Sequence, residues 1–204
     1  KGNEHLKHED SEALEIGFKF GTNIIQASIA GYYMEGENLI DWMMDDSDGK
    51  WQSVNLAKIY KKGIEIETAI YPHEILEKLH PKTSLKLAYT RMYQNSSNSS
   101  GEGDSHYILN YLRDKFTARL NLPIYKEISL NANFRWQKRM GGYMKYEGNK
   151  PVNFTPYSPF STLDVRINWA VSDFAVNLSV NNLYNTRYYD LGNIPQPAFW
   201  LSGG

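Results

Sequence analysis

The chain has 204 residues, with 22 Lys and Arg against 23 Asp and Glu, 41% hydrophobic, 14% aromatic and 22% charged residues, and no cysteine. The balanced charge argues against a nucleic-acid partner, which calls for a basic face, and the missing cysteine excludes a disulfide framework and a thiolate metal site. A mean hydropathy of −0.56 argues against a helical membrane protein, because the longest uncharged, fairly apolar run is 27–34 and a spanning helix needs about 20 such residues.

Lys1–Ser11 is charged and has no apolar core of a signal peptide. The abrupt start and the stop at Gly203-Gly204, straight after an apolar run, suggest a piece of something longer. Missing targeting signals then carry no information about location.

The dominant pattern has period two. Leu14, Ile16, Phe18 and Phe20 alternate with Glu15, Gly17 and Lys19. Ile64, Ile66 and Ile70 alternate with Glu65, Glu67 and Ala69. Phe116, Ala118, Leu120 and Leu122 follow the same rule, as do Ile128, Leu130, Ala132, Phe134 and Trp136. So do Leu163, Val165, Ile167 and Trp169, and then Phe174, Val176, Leu178 and Val180. Successive side chains of a strand point to opposite faces, so each segment predicts a strand with one apolar face. Nine strands are expected, at about 12–20, 24–34, 54–70, 83–94, 107–122, 128–140, 160–171, 174–183 and 198–204, and all eight prolines fall outside them. One short helix is expected at 72–79, opened by Pro72 and with Ile75, Leu76 and Leu79 on one side.

The connections alternate in length. Residues 21–23, 71–82, 123–127 and 172–173 are the shorter set; 35–53, 95–106, 141–159 and 184–197 are long and rich in Gly, Ser, Asn, Asp and Pro. That rhythm belongs to an outer-membrane barrel, with tight periplasmic turns and longer external loops. Strand length agrees, since a tilted spanning strand needs about 9–11 residues and globular strands cluster near 5–6. The face opposite the apolar one carries Glu15, Lys19, Glu65, Glu67, Lys86, Arg119, Arg135, Asp164 and Arg166. A wet lumen accommodates these charges, whereas Arg or Lys on the lipid face costs about 2–4 kcal/mol each at the midplane. Aromatics gather near strand ends: Tyr32, Tyr33, Tyr93 and Tyr107 at one, Phe20, Tyr71, Tyr125, Trp169 and Phe174 at the other. Two interfacial girdles would place them so. The fold class expected is therefore all-β, an antiparallel up-and-down transmembrane barrel. Nine strands leave such a sheet unclosed, so a further part of a barrel is expected outside this chain.

The stretch Leu178-Ser-Val-Asn-Asn-Leu-Tyr-Asn-Thr-Arg-Tyr-Tyr, followed by Pro197 and an aromatic-apolar run, resembles the end of TonB-dependent outer-membrane receptors. Asn182 to Tyr188 matches the family's Asn-Leu-(Phe/Tyr)-(Asp/Asn)-x-x-Tyr motif. Gly63-Ile-Glu65 within 55–67 resembles its Gly-hydrophobic-Glu strand, and Leu6 to Phe20, with Glu12 and Glu15, resembles a descending barrel strand. Pro197-Ala-Phe-Trp200 departs from the family's Pro-Gly-Arg, the last strand lacks a terminal aromatic, and His8 stands where proline is frequent. The resemblance implies that residues 1–204 are the C-terminal portion of a barrel of roughly 22 strands, in the outer membrane of a Gram-negative bacterium. It also implies a separate plug that the TonB complex grips, contact with membrane lipid and lipopolysaccharide, and import of a small-molecule or metal-chelate ligand such as a ferric siderophore or cobalamin. No nucleic acid and no enzymatic activity are expected.

Binding in that family falls to external loops and the upper lumen. The aromatic candidates for ligand contact are Trp42, Trp51, Tyr143, Tyr146, Tyr184 and Tyr189, with Glu65, Glu67, Arg119, Arg135 and Arg166 lining the lumen. Asp45, Asp46 and Asp48 before Gly49 form an acidic loop that can bind calcium, although Met44 and Asn55 fall at the first and twelfth positions of an incomplete EF-hand pattern. No other cofactor is expected. Gly103-Asp-Ser-His106 holds three triad residue types, but adjacent residues in a hydrated loop do not make a nucleophilic site. His5, His8, His73, His80 and His106 show no ligand spacing. A passive porin-like channel and a soluble β-sandwich binding module are the other readings; the sandwich requires Phe174, Val176, Leu178 and Val180 to enter a packed core.

Overall fold

In the computed structural model, the residues described are 3–44, 51–55, 58–97, 111–148, 150–192 and 194–204. Among these described residues fifteen strands run in order: β1 (Asp10–Gly21), β2 (Ile25–Glu37), β3 (Ile40–Met44), β4 (Trp51–Asn55), β5 (Lys58–Ile70), β6 (Ser84–Ser97), β7 (Leu112–Tyr125), β8 (Ile128–Arg139), β9 (Gly142–Glu147), β10 (Lys150–Pro156), β11 (Phe160–Val171), β12 (Phe174–Asn181), β13 (Tyr189–Leu191), β14 (Ile194–Pro195) and β15 (Trp200–Gly203). Nine of them form one antiparallel sheet, β1-β2-β5-β6-β7-β8-β11-β12-β15, in chain order without a crossover. They correspond to the nine expected strands with one correction: β7 runs through Pro123, a proline expected outside the strands, close to the turn end and next to a register shift, while residues 107–110 lie outside the described residues. The other six pair as three hairpins, β3–β4, β9–β10 and β13–β14, inside the long connections.

Pairing registers keep the apolar side chains on one face across the whole sheet. Ile25, Ile70, Leu85, Leu120, Ala132, Val165, Val180 and Leu201 follow one another across eight strands. Glu67 pairs Ala88, Arg119 pairs Asn133, and Arg135 pairs Thr162, all on the opposite face. The apolar face is bare: Phe18 is 70% exposed and Phe174 79%, and among the described residues no large side chain is fully buried. The β-sandwich reading is thereby corrected. A sandwich places a second sheet about 10 Å away on this face, and here Phe174, Val176 and Leu178 stand exposed. Bare alternation suits a wall with lipid outside and water inside.

Local chemistry sets the ends of the strands. The tight turns at Lys126-Glu127 and Ser172-Asp173 take positive φ at their first residue (42° and 50°), the twist-compatible form of a two-residue hairpin. On β5, Gly63 leaves its lumen side open, and the Tyr32 ring lies where a Cβ would stand. Tyr32 thus faces the lumen and not the girdle in which sequence placed it.

Two further expectations are corrected. The 72–79 helix is a single 3₁₀ turn, Pro72–Glu74, followed by turns. Pro72 seeds it, and the His73 ring bonds the Leu79 carbonyl at 2.7 Å, closing the segment on itself. The 54–70 strand is two elements, because Val54 and Asn55 pair with β3, and the sheet strand begins at Lys58. Asn55 fixes that break: its amide accepts from the Lys7 N–H at 2.7 Å and donates to the Lys7 carbonyl at 3.0 Å.

Candidate ligand-binding wall at the long-loop end

On β8, Arg135, Gln137 and Arg139 occupy alternate positions and so share the lumen face. The connection after β12 folds back onto them. Gln137 donates to Asp190 Oδ1 at 2.6 Å, Arg135 Nη1 lies 3.6 Å from Asp190 Oδ2, and Arg139 donates to the Asp190 carbonyl at 2.9 Å. Arg135 also donates to the Tyr188 hydroxyl at 3.1 Å. Its guanidinium sits 5.3 Å from the Phe160 ring and 5.4 Å from Tyr188, and those two rings stack at 4.1 Å. Cation–π geometry of this kind contributes about 0.5–2 kcal/mol, more as water is excluded.

A second group of rings adjoins the first. Tyr143 on β9 lies 5.5 Å from Tyr157 and 5.2 Å from Tyr189. Arg139 stands over Tyr157 at 5.6 Å, and the Tyr157 hydroxyl accepts from the Gly192 N–H at 2.9 Å. Burial, reinforced by Tyr189 and Tyr157, pushes the Tyr143 phenol above its ordinary range. Guanidinium, amide and phenol donors set among tyrosine faces suit an anionic ligand with flat or apolar parts.

The loop is held at its root by Asn182, at φ 49° and 4% exposed. Its side chain donates to the carbonyls of Thr186 (2.8 Å) and Pro197 (3.2 Å) and accepts from the Thr186 N–H (3.0 Å). Its own N–H donates to Asp164 Oδ1 at 2.8 Å. Thr186 reaches the Ser161 carbonyl on β11 at 2.8 Å, and Asn185, also at positive φ (52°), accepts from the Phe199 N–H at 3.1 Å. The Asn-Leu-Tyr-Asn motif is therefore a hydrogen-bonded knot that fixes where the loop leaves β12 and where the next strand enters.

Tyr143 and Tyr189 are brought together as members of one cluster. Tyr184 stands exposed on the turn leaving β12, and Trp42 is exposed on the β3–β4 hairpin. The side chains of Trp51 and Tyr146, and all of Asp45, Asp46 and Asp48, lie outside the described residues. Glu65, Glu67, Arg119, Arg135 and Arg166 share the lumen face. Arg119 and Arg166 line a recess of about 510 Å³ with Lys86, Asn133 and Asp164, below the wall just described. Sequence reasoning missed Tyr157, Phe160, Tyr188, Asp190, Gln137 and Arg139. The alternation of β8 already placed Gln137 and Arg139 beside Arg135 on one face; the partners from the 184–197 connection carry no local signal.

Arg135→Ala should loosen that connection. The Gln196 N–H, bonded to the Tyr188 carbonyl at 3.0 Å, is expected to exchange with deuterium about tenfold faster, while amides of β8 itself keep their protection. Unchanged exchange at Gln196 would remove Arg135 as an anchor.

An unclosed nine-strand meander with a lipid-type face and a polar, donor-rich inner face defines a piece of an outer-membrane β-barrel. The chain matches the family described as TonB dependent receptor-like, beta-barrel, over residues 1–183, and it belongs to that family, whose members are outer-membrane proteins of Gram-negative bacteria. It is 34% identical over 76 residues, 37% of this chain and 12% of the relative, to the Vitamin B12 transporter BtuB of Vibrio vulnificus (strain YJ016). Its fold superposes on the siderophore receptor PirA from Acinetobacter baumannii with a TM-score of 0.73 at 15% identity, covering 100% of this chain and 32% of that one. It superposes likewise on a G324V mutant of the ferric enterobactin receptor PfeA from Pseudomonas aeruginosa, with a TM-score of 0.72 at 19% identity, covering 100% of this chain and 31% of that one. The chain thus spans about a third of the solved receptors it resembles.

Proposed function

We propose that the chain forms the C-terminal part of a receptor barrel that captures a large, scarce, anionic metal chelate or corrinoid and imports it with energy from TonB. The observation that carries this reading is the wall of Arg135, Gln137 and Arg139 interleaved with Tyr143, Tyr157 and Tyr188 at the long-loop end of the lumen. Donors with fixed positions select anionic oxygens, and rings cover the rest of a ligand too large for a porin. Relatives named for vitamin B12 and for ferric enterobactin indicate the range of cargo.

The lower recess faces the space a plug would fill. Lys86, Arg119 and Arg166 outnumber Asp164 there, and Asn133 Oδ1 is buried without a partner among the described residues. An acidic and N–H-bearing surface of a plug complements both features. Uptake chemistry of this kind needs no catalytic group; the chain's part is binding and passage, with membrane lipid and lipopolysaccharide around it.

The test uses the whole receptor containing this chain, titrated with ferric catecholate, ferric hydroxamate and cobalamin. Arg139→Ala with Tyr143→Ala is expected to weaken the one ligand that binds by tenfold or more, whereas Trp42→Ala changes it less. Equal affinity in the double variant contradicts this wall as the binding site.

A further inference from the structure

The 184–197 connection is fastened in two different ways. Its root is tied to its own neighbours: the Asn182 side chain bonds Thr186 and the Pro197 carbonyl, and Asn185 Oδ1 accepts from the Phe199 N–H. Its tip is the β13–β14 hairpin, which forms its own two-stranded sheet apart from the nine-stranded one. The two strands share the pairs Tyr189–Pro195 and Leu191–Ile194, with a register break between them, and Pro195 brings no N–H. So short a hairpin is not stable in water by itself, and contacts with the wall hold it down.

Toward β8 those contacts all run one way, because the tip supplies acceptors. Asp190 Oδ1 accepts from Gln137 at 2.6 Å, and Asp190 Oδ2 lies 3.6 Å from Arg135. The Asp190 carbonyl accepts from Arg139 at 2.9 Å and the Tyr188 hydroxyl from Arg135 at 3.1 Å. The donors assigned to the ligand are therefore already engaged by the chain itself, and one of the groups engaging them is a carboxylate. The Gln137 bond is short. The Arg135 pair is longer than the about 2.7–2.9 Å of a charge-assisted hydrogen bond, and 28% and 33% of its two side chains stay exposed. A loose, part-exposed pair of this kind holds weakly.

We propose that Asp190 is an internal stand-in for the ligand's anion: an anionic chelate takes its place on Arg135 and Gln137, and the β13–β14 hairpin lifts from the wall as the chelate binds. Asp190 is thereby a specificity-determining residue. A carboxylate held at the site by a short loop acts at an effective concentration of about millimolar or more, so lone carboxylates or chloride from solution do not displace it. A chelate that presents several anionic oxygens to Arg135, Gln137 and Arg139 together does. Its apparent affinity falls with the fraction of receptors whose wall is covered, and it lifts the hairpin because it binds the uncovered wall better. The proposal rests on the wall being the binding site.

The whole receptor containing this chain, wild type and Asp190→Asn, is titrated with a polyanionic ferric tris-catecholate and with cobalamin, and amide exchange is read by mass spectrometry. Asp190→Asn is expected to bind the tris-catecholate at least threefold more tightly. In the wild type, saturating tris-catecholate is expected to speed exchange of the Gly192 and Gln196 N–H groups, now bonded to the Tyr157 hydroxyl at 2.9 Å and the Tyr188 carbonyl at 3.0 Å, at least fivefold while β8 amides keep their protection. A carboxylate that merely orients Arg135 gives the opposite signs. Weaker or equal binding by Asp190→Asn, or unchanged or slower exchange at Gly192 and Gln196 with the chelate bound, overturns the proposal. The wild-type exchange result decides alone should Asp190→Asn not fold. Binding of cobalamin without the tris-catecholate overturns it too, and the wall itself is then still judged by Arg139→Ala with Tyr143→Ala; equal affinity in that double variant fails the wall instead.

Discussion

Val165→Arg is expected to destabilise the folded receptor by about 2–4 kcal/mol, while Ala88→Arg costs under about 1 kcal/mol. Val165 sits on the apolar face between Ala132 and Val180, midway along β11 and so near the middle of the bilayer. A guanidinium there must leave water or distort the lipid, and the cost quoted is that of Arg or Lys at a barrel midplane. Ala88 sits on the other face, between Glu67 and Thr117, where an arginine meets water and a carboxylate. Equilibrium urea unfolding in lipid vesicles, followed by Trp fluorescence, reads both. Equal costs at the two positions would contradict the assignment of the faces.

Asn182→Ala is expected to cost about 2–4 kcal/mol, among the largest effects of any polar substitution in the chain. Three side-chain hydrogen bonds disappear, each contributing about 0.5–1.5 kcal/mol net, and the carbonyls of Thr186 and Pro197 lose a buried partner. Alanine also tolerates φ 49° less well than asparagine. Asn182→Gly keeps the backbone freedom and loses only the bonds, so it should recover roughly 1 kcal/mol of the loss. The same unfolding measurement checks both variants, and hydrogen exchange of the Thr186 N–H shows whether the knot opened. A loss below 1 kcal/mol in Asn182→Ala would mean the turn is held by β12 and β15 alone.

Legibility in the sequence followed the range of the interactions. Strand faces depend on period two alone, so Leu14 to Phe20 and Phe174 to Val180 declared their side without any partner being known. Loop rhythm likewise needs only turn composition. The β3–β4 hairpin escaped because Trp42, Met43 and Met44 are consecutive and give no period-two signal, and their pairing to 51–55 is decided by the closure of a loop. The 72–79 segment reads as a helix from Pro72 and its leucines, yet it has no sheet or core against which to bury them, and short helices do not persist unsupported. Arg135 was found because strand parity locates it. Its ring partners Phe160 and Tyr188 lie 25 and 53 residues away, and no local pattern reports such a contact. Asn182 was noticed as a motif letter; the five hydrogen bonds at that residue give the letter its physical reason.

The face assignment is best tested by spin labels at single cysteines, since the chain has none of its own. Labels at 163, 165, 167 and 164, 166, 168 on β11, and at 176, 178 and 177, 179 on β12, are read in the whole receptor in a bilayer. The expected result is relaxation by oxygen at positions 163, 165, 167, 176 and 178, and by a water-soluble nickel chelate at 164, 166, 168, 177 and 179. Protection of the first set from both reagents would place those side chains in a packed protein core and contradict the membrane wall.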